Sequence, residues 1–422
     1  MSSMGGAPPA SRPGSDSLCD EFSKAALGPS TSPSWSDLPI DILLSILQCL
    51  ELPQALAFAS VCTAWRVAAT TAGVPGSCTP CIMSWGNHLE EMQLHRRYSS
   101  AVTCKLYHPA DVDKSYGVSF PKSCFLVCCG ASHGWLILAN DISNLVLCNP
   151  VTMAMIPLPP VTDFTDVKAV CGGYHRGTYF YEAKRLAIWF YQKAVLSCSP
   201  SKDGAYVVMV IHNDSACISF VKAGQSKWQV ASTLSCSDRY LDCAYHKGRF
   251  YTVTLKGMVE KWNLDGANGP TREVVVIARP LPVECILARH LVSTPWGDLL
   301  QVRAKPAVEY PDGIAFKIYK VDPDGCNVVQ ENVLGDHALF LGLNHSACLH
   351  TKNLPGIRRH CIYFSAPVIT HAFDFLLQLR VWGGARTYDL ERRRFERVVP
   401  FSDTKKLVYG ICPSEVWITQ NL

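Results

Sequence analysis

The sequence has the length and composition of a folded protein with more than one domain. Its 422 residues are 48% hydrophobic and 18% charged, which is typical of chains that bury a core and excludes a disordered protein. The formal net charge of +4 is too small to indicate a nucleic-acid partner. This length allows two or three domains.

Residues 1–34 are rich in Gly, Ala, Pro and Ser and have the composition of a disordered tail. They contain no apolar run of signal-peptide length, and no uninterrupted apolar stretch of the chain is long enough for a membrane span. The 20 cysteines are therefore predicted to be reduced, packed core residues and not a disulfide framework. We expect a protein of the cytoplasm and/or nucleus with no membrane partner.

Residues 35–72 are predicted to form a small helical domain. Its first helix, Pro39–Leu50, begins with a proline, whose missing N–H costs nothing at the first helical position. Apolar residues recur with helical spacing on one face at Ile40, Leu43, Leu44 and Leu47. A second apolar set covers much of the remaining surface and consists of Ile42, Ile46, Cys49 and Leu50. A helix this apolar must bury two faces.

Two shorter helices, about Gln54–Ala59 and Ser60–Thr70, can cover one of these faces. The inward stripe predicted for the last helix consists of Val61, Ala64, Trp65 and Ala68. The other face of the first helix then needs a second domain or a second protein. The alternative is a helix hairpin buried within a larger core.

Several residues of this helical domain form short motifs that are separated by fixed spacings. They are Leu38-Pro39-x-Asp41-Ile42-Leu43, then Ile46-Leu47, then Val61-Cys62-x-x-Trp65-Arg66. The pattern resembles an F-box, a three-helix module that docks on the Skp adaptor of a cullin-based ubiquitin ligase. The resemblance implies an adaptor-binding set of Leu38, Pro39, Ile42, Leu43, Ile46, Leu47, Val61 and Trp65. The chain departs from the family at Leu52-Pro53 and the Ala-rich segment after it, where family members more often carry charge.

Residues 73–100 are predicted to be a linker, with His88–Tyr98 as a candidate connecting helix. From residue 101 to 422 the pattern is that of β-strands. Five units each offer three short strands separated by turn residues, as an antiparallel meander requires. Their first strands are Gly134–Ala139, Tyr206–Ile211, Gly248–Val253, Gly297–Val302 and His360–Phe364. A sixth unit is expected near Ala187–Tyr191.

Repeated meanders cannot bury their own faces, so the copies must stack, and four-stranded sheets arranged radially make a β-propeller. At about 40–50 residues per blade the region allows six or seven blades. The predicted fold is therefore an α+β multidomain protein, a three-helix F-box followed by an all-β, kelch-like propeller. A pair of β-sandwiches is the alternative.

The β-region also carries motifs in a fixed order. They are Ser132-x-Gly134-Trp135-Leu136, Cys148-Asn149-Pro150-Val151, Ile156-Pro157-Leu158-Pro159, Cys361–Phe364 and Tyr388-Asp389-Leu390. Behind an F-box, this order resembles the plant KIB-type propeller, a domain of unknown function, over roughly residues 100–418. The resemblance implies a plant protein whose propeller recruits a substrate.

Gly130-Ala-Ser-His-Gly134 matches G-x-S-x-G, the nucleophile elbow of hydrolases. That elbow needs a strand before the serine and a helix after it, whereas the residues that follow here, Trp135-Leu-Ile-Leu, indicate another strand. We therefore predict a β-turn. A hydrolase using Ser132, or an oxidoreductase built on the β-domain, is the alternative function.

The remaining chemical motifs are weaker. Cys78-Thr-Pro-Cys81 is a lone C-x-x-C that lacks two further zinc ligands, and Cys348-x-His350 and His360-Cys361 are incomplete in the same way. No phosphate-binding or dinucleotide-binding glycine motif is present. We expect no metal and no cofactor.

These features together predict the substrate-receptor subunit of an SCF-type ubiquitin ligase. The F-box would bind the Skp adaptor, and through it a cullin, while the propeller would recruit a protein substrate of unknown identity for ubiquitination and proteasomal degradation. The protein itself would catalyse nothing. An F-box protein that acts without the cullin, as a scaffold or inhibitor, is a third possibility.

Overall fold

The computed structural model begins with three short helices, α1 (Ile40–Gln48), α2 (Leu52–Ala59) and α3 (Thr63–Thr71). The residues that the structure describes are 34–50, 52–72, 74, 80–85, 101–109, 111–164, 167, 186–187, 190–200, 204–213, 215–235, 237–277, 286–306, 314–322, 327–331, 334–354, 356–365, 385–397 and 415–419. The predicted tail up to residue 33 and the candidate helix at His88–Tyr98 lie outside them.

The helices pack around a small apolar core of their own. Its fully buried members are Leu43, Leu47, Ala55, Phe58, Ala68, Ala69 and Val74. Two of the four residues predicted to face inward on α3 do so. Because α3 begins at Thr63, Val61 lies in the preceding turn and is exposed, as is Ala64. Trp65 and Ala68 do face inward, together with Ala69.

The strands form six groups, which we call sheets 1–6; sheets 1–5 are antiparallel, and in sheet 6 the strands His337–Leu341 and Cys361–Phe364 pair in parallel. Sheet 1 contains β1 (Cys81–Ser84), β2 (Ala101–His108), β3 (Asp111–Pro121) and the last strand, β25 (Glu415–Ile418). Sheet 2 contains β4 (Val127–Ser132), β5 (Trp135–Ala139), β6 (Leu145–Cys148) and β7 (Met155–Pro157). Sheet 3 contains β8 (Tyr191–Leu196), β9 (Val207–His212), β10 (Cys217–Lys222) and β11 (Gln229–Thr233).

The other sheets lie later in the chain. Sheet 4 contains β12 (Tyr240–His246), β13 (Arg249–Thr254), β14 (Val259–Asn263) and β15 (Thr271–Val276). Sheet 5 contains β16 (Ala288–Ser293), β17 (Leu299–Pro306), β18 (Ile314–Asp322) and β19 (Asn327–Glu331). Sheet 6 contains β20 (His337–Leu341), β21 (Ala347–His350), β22 (Cys361–Phe364), β23 (Arg386–Asp389) and β24 (Arg394–Arg397). A single parallel pair, Ser293 with Ala347, joins sheets 5 and 6 into one curled sheet.

The sheets follow one another around a ring. The first strands β4, β8, β12 and β16 contact each other in that order, and β25 contacts β4. Sheet 6 packs on sheet 1 through Phe340 and Trp417, whose ring centroids are 5.3 Å apart. The ring is closed by pairing between the last strand and the first, with Ile82 opposite Trp417. This arrangement is the predicted propeller, with six sheets among the described residues.

The strand near Ala187–Tyr191 does not begin a separate unit. Tyr191–Leu196 pairs with β9 and is the first strand of sheet 3, a sheet whose other three strands the sequence had already indicated. The additional sheet is instead sheet 1, because the C-terminal strand β25 completes it with β1, β2 and β3.

A short segment between β20 and β21, Gly342–Ser346, lies among the first strands of sheets 2, 3 and 4; we call it the central plug. The backbone N–H of His345 donates to the carbonyl of Ala131 at 2.7 Å. The His345 Nε2 accepts a hydrogen bond from the Tyr245 N–H at 3.1 Å. The Lys193 Nζ donates to the carbonyl of Gly342 at 3.0 Å. The central plug therefore ties three sheets together at the centre of the ring.

The central plug should make the propeller sensitive to mild acid. Burial, followed by the nearby charges of His133 and Lys193, lowers the pKa of His345 to about 3. An unfolded chain binds a proton at this residue near pH 6.5, so stability is complete above that pH and is lost as the pH falls toward 3. We expect His345 alone to cost about 2 kcal/mol of unfolding free energy between pH 7 and pH 5.

Urea unfolding of the wild type and of His345→Gln at both pH values measures this loss. The glutamine side chain can still accept the Tyr245 N–H, so the variant should lose less stability on acidification than the wild type does. An identical pH dependence in the two proteins would rule out His345 as the source.

Candidate functional site

The predicted adaptor-binding residues divide into buried and exposed groups. Leu43 and Leu47 lie in the core of the helical domain and present no surface to a partner. Leu38, Ile46 and Trp65 are half-buried against that core. Pro39, Ile42 and Val61 are exposed. The buried members hold the helices together, and adaptor contact remains a prediction for the others.

Trp65 is the residue that joins the parts of the helical domain. Its indole ring packs on Phe58 with ring centroids 4.3 Å apart, and its Nε1 donates to the backbone carbonyl of Trp35 at 2.9 Å. The hydrogen bond fixes the turn before α1 against α3. Trp65 therefore acts mainly by positioning its neighbours.

The helical domain exposes an unusual amount of apolar side chain. Nine large hydrophobic residues are exposed in the described part of the chain, and five of them fall within residues 35–71. We call these five the apolar face, by which we mean the exposed large apolar side chains of the helical domain and not one side of a single helix; they are Trp35, Ile40, Ile42, Val61 and Val67. Many exposed large apolar residues in one small domain are typical of a protein-binding domain. The described residues of this domain carry few charges, so binding there would rely on burial of apolar area.

The helical domain also contacts the propeller. Leu56 on α2 and Tyr116 on β3 are both half-buried and belong to both the helical core and the core of the first sheets. The helical domain therefore packs against sheet 1 of the propeller.

The G-x-S-x-G motif forms a hairpin, as predicted. β4 ends at Ser132 and β5 begins at Trp135, and the intervening His133 and Gly134 have φ angles of 52° and 75°, as a two-residue type I′ turn requires. The Ser132 Oγ is buried and accepts a hydrogen bond from the Leu196 N–H on the neighbouring sheet at 3.2 Å. No helix follows the serine, so the geometry of a nucleophile elbow is missing.

Gly130, the first glycine of that motif, has a packing role. A Cβ placed there would lie 2.1 Å from the carbonyl oxygen of Ala194 on β8, which is far inside van der Waals contact. We predict that Gly130→Ala lowers the unfolding free energy by about 3 kcal/mol, because backbone on two adjacent sheets must move apart.

Thermal and urea unfolding measure this effect. Gly224→Ala is the control, because Gly224 has φ 77° and open space around it; the control should lose only the backbone cost of about 1 kcal/mol. An equal loss in the two variants would show that Gly130 is not needed for close approach of the sheets.

The centre of the ring holds a buried ion pair between Lys193 on β8 and Asp242 on β12. Both Asp242 oxygens also accept backbone N–H groups, from Cys243 and from Leu291, each at 2.8 Å. Burial alone would raise the pKa of Asp242, but the charge of Lys193 and the adjacent His290 outweigh it and lower the pKa below the usual range. The carboxylate is therefore ionised in the folded protein.

Within the described residues, the cysteine motifs do not form a metal site. Cys78 lies outside the described residues, and burial raises the pKa of Cys81 to about 12. Cys348 is buried while His350 is exposed. In the described ranges, no three His, Cys, Asp or Glu residues are grouped to hold a metal ion. Nine of the cysteines there are buried, which matches the prediction of packed thiols.

None of the described helices is both long and apolar enough to span a membrane.

The chain is similar to two known families, each over a different segment. Residues 35–73 match the F-box domain, and residues 106–394 match the KIB1-4 beta-propeller. It is 26% identical to "Probable F-box protein At4g22165" of Arabidopsis thaliana, over 79% of this chain and 84% of that protein. It is 23% identical to "F-box/kelch-repeat protein KIB1" of the same species, over 78% of this chain and 77% of that protein.

Proposed function

Because the chain belongs to the KIB1-4 beta-propeller family and carries an F-box domain, we propose that it is the substrate receptor of a cullin-based ubiquitin ligase. The observation that carries this proposal is the apolar face. Of the nine large hydrophobic residues that are exposed in the described part of the chain, five lie in the F-box segment. Such a surface suits a protein partner better than solvent.

In this role the protein holds two partners and performs no covalent step. The apolar face binds a Skp-type adaptor, which links the chain to a cullin and so to a charged ubiquitin-conjugating enzyme. The propeller binds the protein substrate. Holding a substrate lysine near the charged enzyme raises its effective concentration and turns a bimolecular encounter into a local one.

Size-exclusion chromatography of the full chain with a recombinant plant Skp-type adaptor and the amino-terminal half of a cullin tests the proposal. We expect the three proteins to elute as one complex, and the chain to elute alone when the adaptor is omitted. A chain that never joins the adaptor would contradict the receptor function.

The rival function, a hydrolase using Ser132, can be distinguished from a substrate receptor by the substitution Ser132→Ala. Ser132→Ala leaves the buried Leu196 N–H without its acceptor, so we expect a loss of about 1–3 kcal/mol of unfolding free energy. Adaptor binding should stay within about twofold of the wild type.

Esterase and peptidase screens of the same two proteins provide the contrast. A hydrolytic activity present in the wild type and absent from Ser132→Ala would overturn the proposal that the chain catalyses nothing.

A scaffold or inhibitor that acts without the cullin would also bind the adaptor. Ubiquitin transfer to a bound protein separates the two roles, because a receptor supports transfer and a scaffold does not. We place the receptor in the cytoplasm or nucleus; imaging of a fluorescent fusion tests this, and a signal confined to an organelle would contradict it.

A further inference from the structure

A cavity opens near the centre of the ring, where the first strands of sheets 3, 4 and 5 begin. The space inside it and at its mouth is about 470 Å³, a volume that includes open solvent. The polar residues that line this axial cavity are Gln192, Lys193, Ser215, Tyr240, Arg289 and His290. Residues Gly342 and Leu343 of the central plug close its inner side.

Arg289 is an unpaired buried cation in the wall of the axial cavity. It is only 1% exposed. Its Nε donates to the Leu255 carbonyl at 3.1 Å and its Nη1 donates to the Gln301 Oε1 at 3.0 Å. Both acceptors are neutral, and Arg289 forms no ion pair with any carboxylate of the described residues. A buried charge without a counter-charge is costly, so such cations are normally paired.

No neighbouring carboxylate of the described residues contacts the Arg289 guanidinium. The charge of Asp238 favours the charged form of Arg289 without forming an ion pair with it, and Asp242 is paired with Lys193 and accepts two backbone N–H groups. Arg303 adds positive charge beside Arg289: burial and then Arg303 lower the pKa of Arg289 to about 10, which still leaves it charged at neutral pH. A second buried donor in this region, the Nε2 of Gln301, has no acceptor among the described residues.

Positive charge and N–H donors are therefore in excess at a cavity that solvent can reach. A guanidinium group presents its donors in a planar fork that matches the oxygens of a carboxylate or phosphate. We propose that the axial cavity binds one oxyanion, a carboxylate or phosphate group, presented by the protein substrate. The assignment to a substrate rests on the proposed receptor function, whereas the oxyanion site itself does not.

Isothermal titration of the full chain tests the site with four probes at constant ionic strength. These are inorganic phosphate, a capped pentapeptide Gly-Gly-Xaa-Gly-Gly with phosphoserine or glutamate at the centre, and the same peptide with serine. We expect phosphate and both charged peptides to bind and the serine peptide not to bind. The charged peptides should bind more tightly than free phosphate, since the flanking backbone adds contacts.

Arg289→Gln should weaken binding of phosphate and of the charged peptides by about tenfold or more. The matched control is Arg303→Gln, which removes the same charge from a side chain that contacts the same Gln301 oxygen but does not line the axial cavity; its effect should be under about threefold. Arg289→Lys keeps the charge and loses the fork, so it tests the site if the glutamine variant does not fold, and we expect intermediate affinity.

Each other outcome counts against the proposal. No phosphate or peptide binding by the wild type, or equal binding by Arg289→Gln, would remove the oxyanion site. Binding of phosphate with no binding of the charged peptides would make it a site for a free anion and overturn the substrate assignment. Adaptor binding by Arg289→Gln is measured in parallel, and its retention shows that failure of the oxyanion site leaves the receptor function untouched.

Discussion

Replacing Ile42 and Val61 with aspartate should weaken binding of the Skp-type adaptor by about 100-fold or more while the F-box stays folded. Both side chains lie on the apolar face, 45% and 57% exposed, so the charges can remain in water in the free protein. In a complex with the adaptor they would be buried without partners, at a cost of several kcal/mol. Titration of the adaptor into the full chain measures the loss.

The matched control is the double variant Val230→Asp, Val274→Asp. These valines are similarly exposed, at 41% and 42%, but lie on the outer strands β11 and β15 of the propeller. The control should bind the adaptor as the wild type does. If both double variants lose binding equally, or if the F-box variant binds normally, the apolar face is not the adaptor site.

Replacing Asp242 with asparagine should lower the unfolding free energy by about 3–5 kcal/mol, a large stability effect for one exchanged atom. The substitution leaves the ammonium group of Lys193 buried without its counter-charge, which is the costly way to break a buried ion pair. Urea unfolding followed by tryptophan fluorescence measures the change. Because the pKa of Asp242 is lowered, the stabilisation should persist at neutral pH and disappear only as acid protonates the carboxylate.

Asp265→Asn is the control for that experiment, because the same chemical change breaks the exposed pair of Asp265 with Lys222, in which Asp265 is 70% exposed. Exposed pairs contribute little, so the control should cost under about 1 kcal/mol. Equal losses in the two variants would mean that the central pair is as well solvated as the surface pair.

The sequence predicted the parts of the fold that are local. Helical spacing indicated α1, and Leu43 and Leu47 of its apolar pattern do form the core. The later strands of the repeated units were indicated by short strand-like runs between turn residues. The first strands, such as Tyr191–Leu196, were not assigned to their units, because the pairing of that strand with β9 cannot be read from a local pattern. Ring closure pairs Ile82 with Trp417, and no local pattern contains that contact.

The candidate sites were predicted less completely. The F-box motifs include two residues of the apolar face, Ile42 and Val61. They could not separate exposed Ile42 from buried Leu43, because both belong to a helix that is apolar on two sides. The oxyanion site was missed altogether. Three isolated charged residues lie within largely apolar strands: Lys193, Asp242 and Arg289. An isolated charge of this kind can indicate a buried polar site. Only the folded ring shows that the three residues lie in the same region.

In the proposed function, one chain connects an adaptor to a substrate and modifies neither. The most direct measurement compares ubiquitin attached to propeller-bound proteins in plant cells that express tagged wild type or the Ile42→Asp, Val61→Asp variant, with the proteasome inhibited. We expect both chains to capture the same proteins, and these proteins to carry ubiquitin only when captured by the wild type. Equal ubiquitination with the two chains would contradict it.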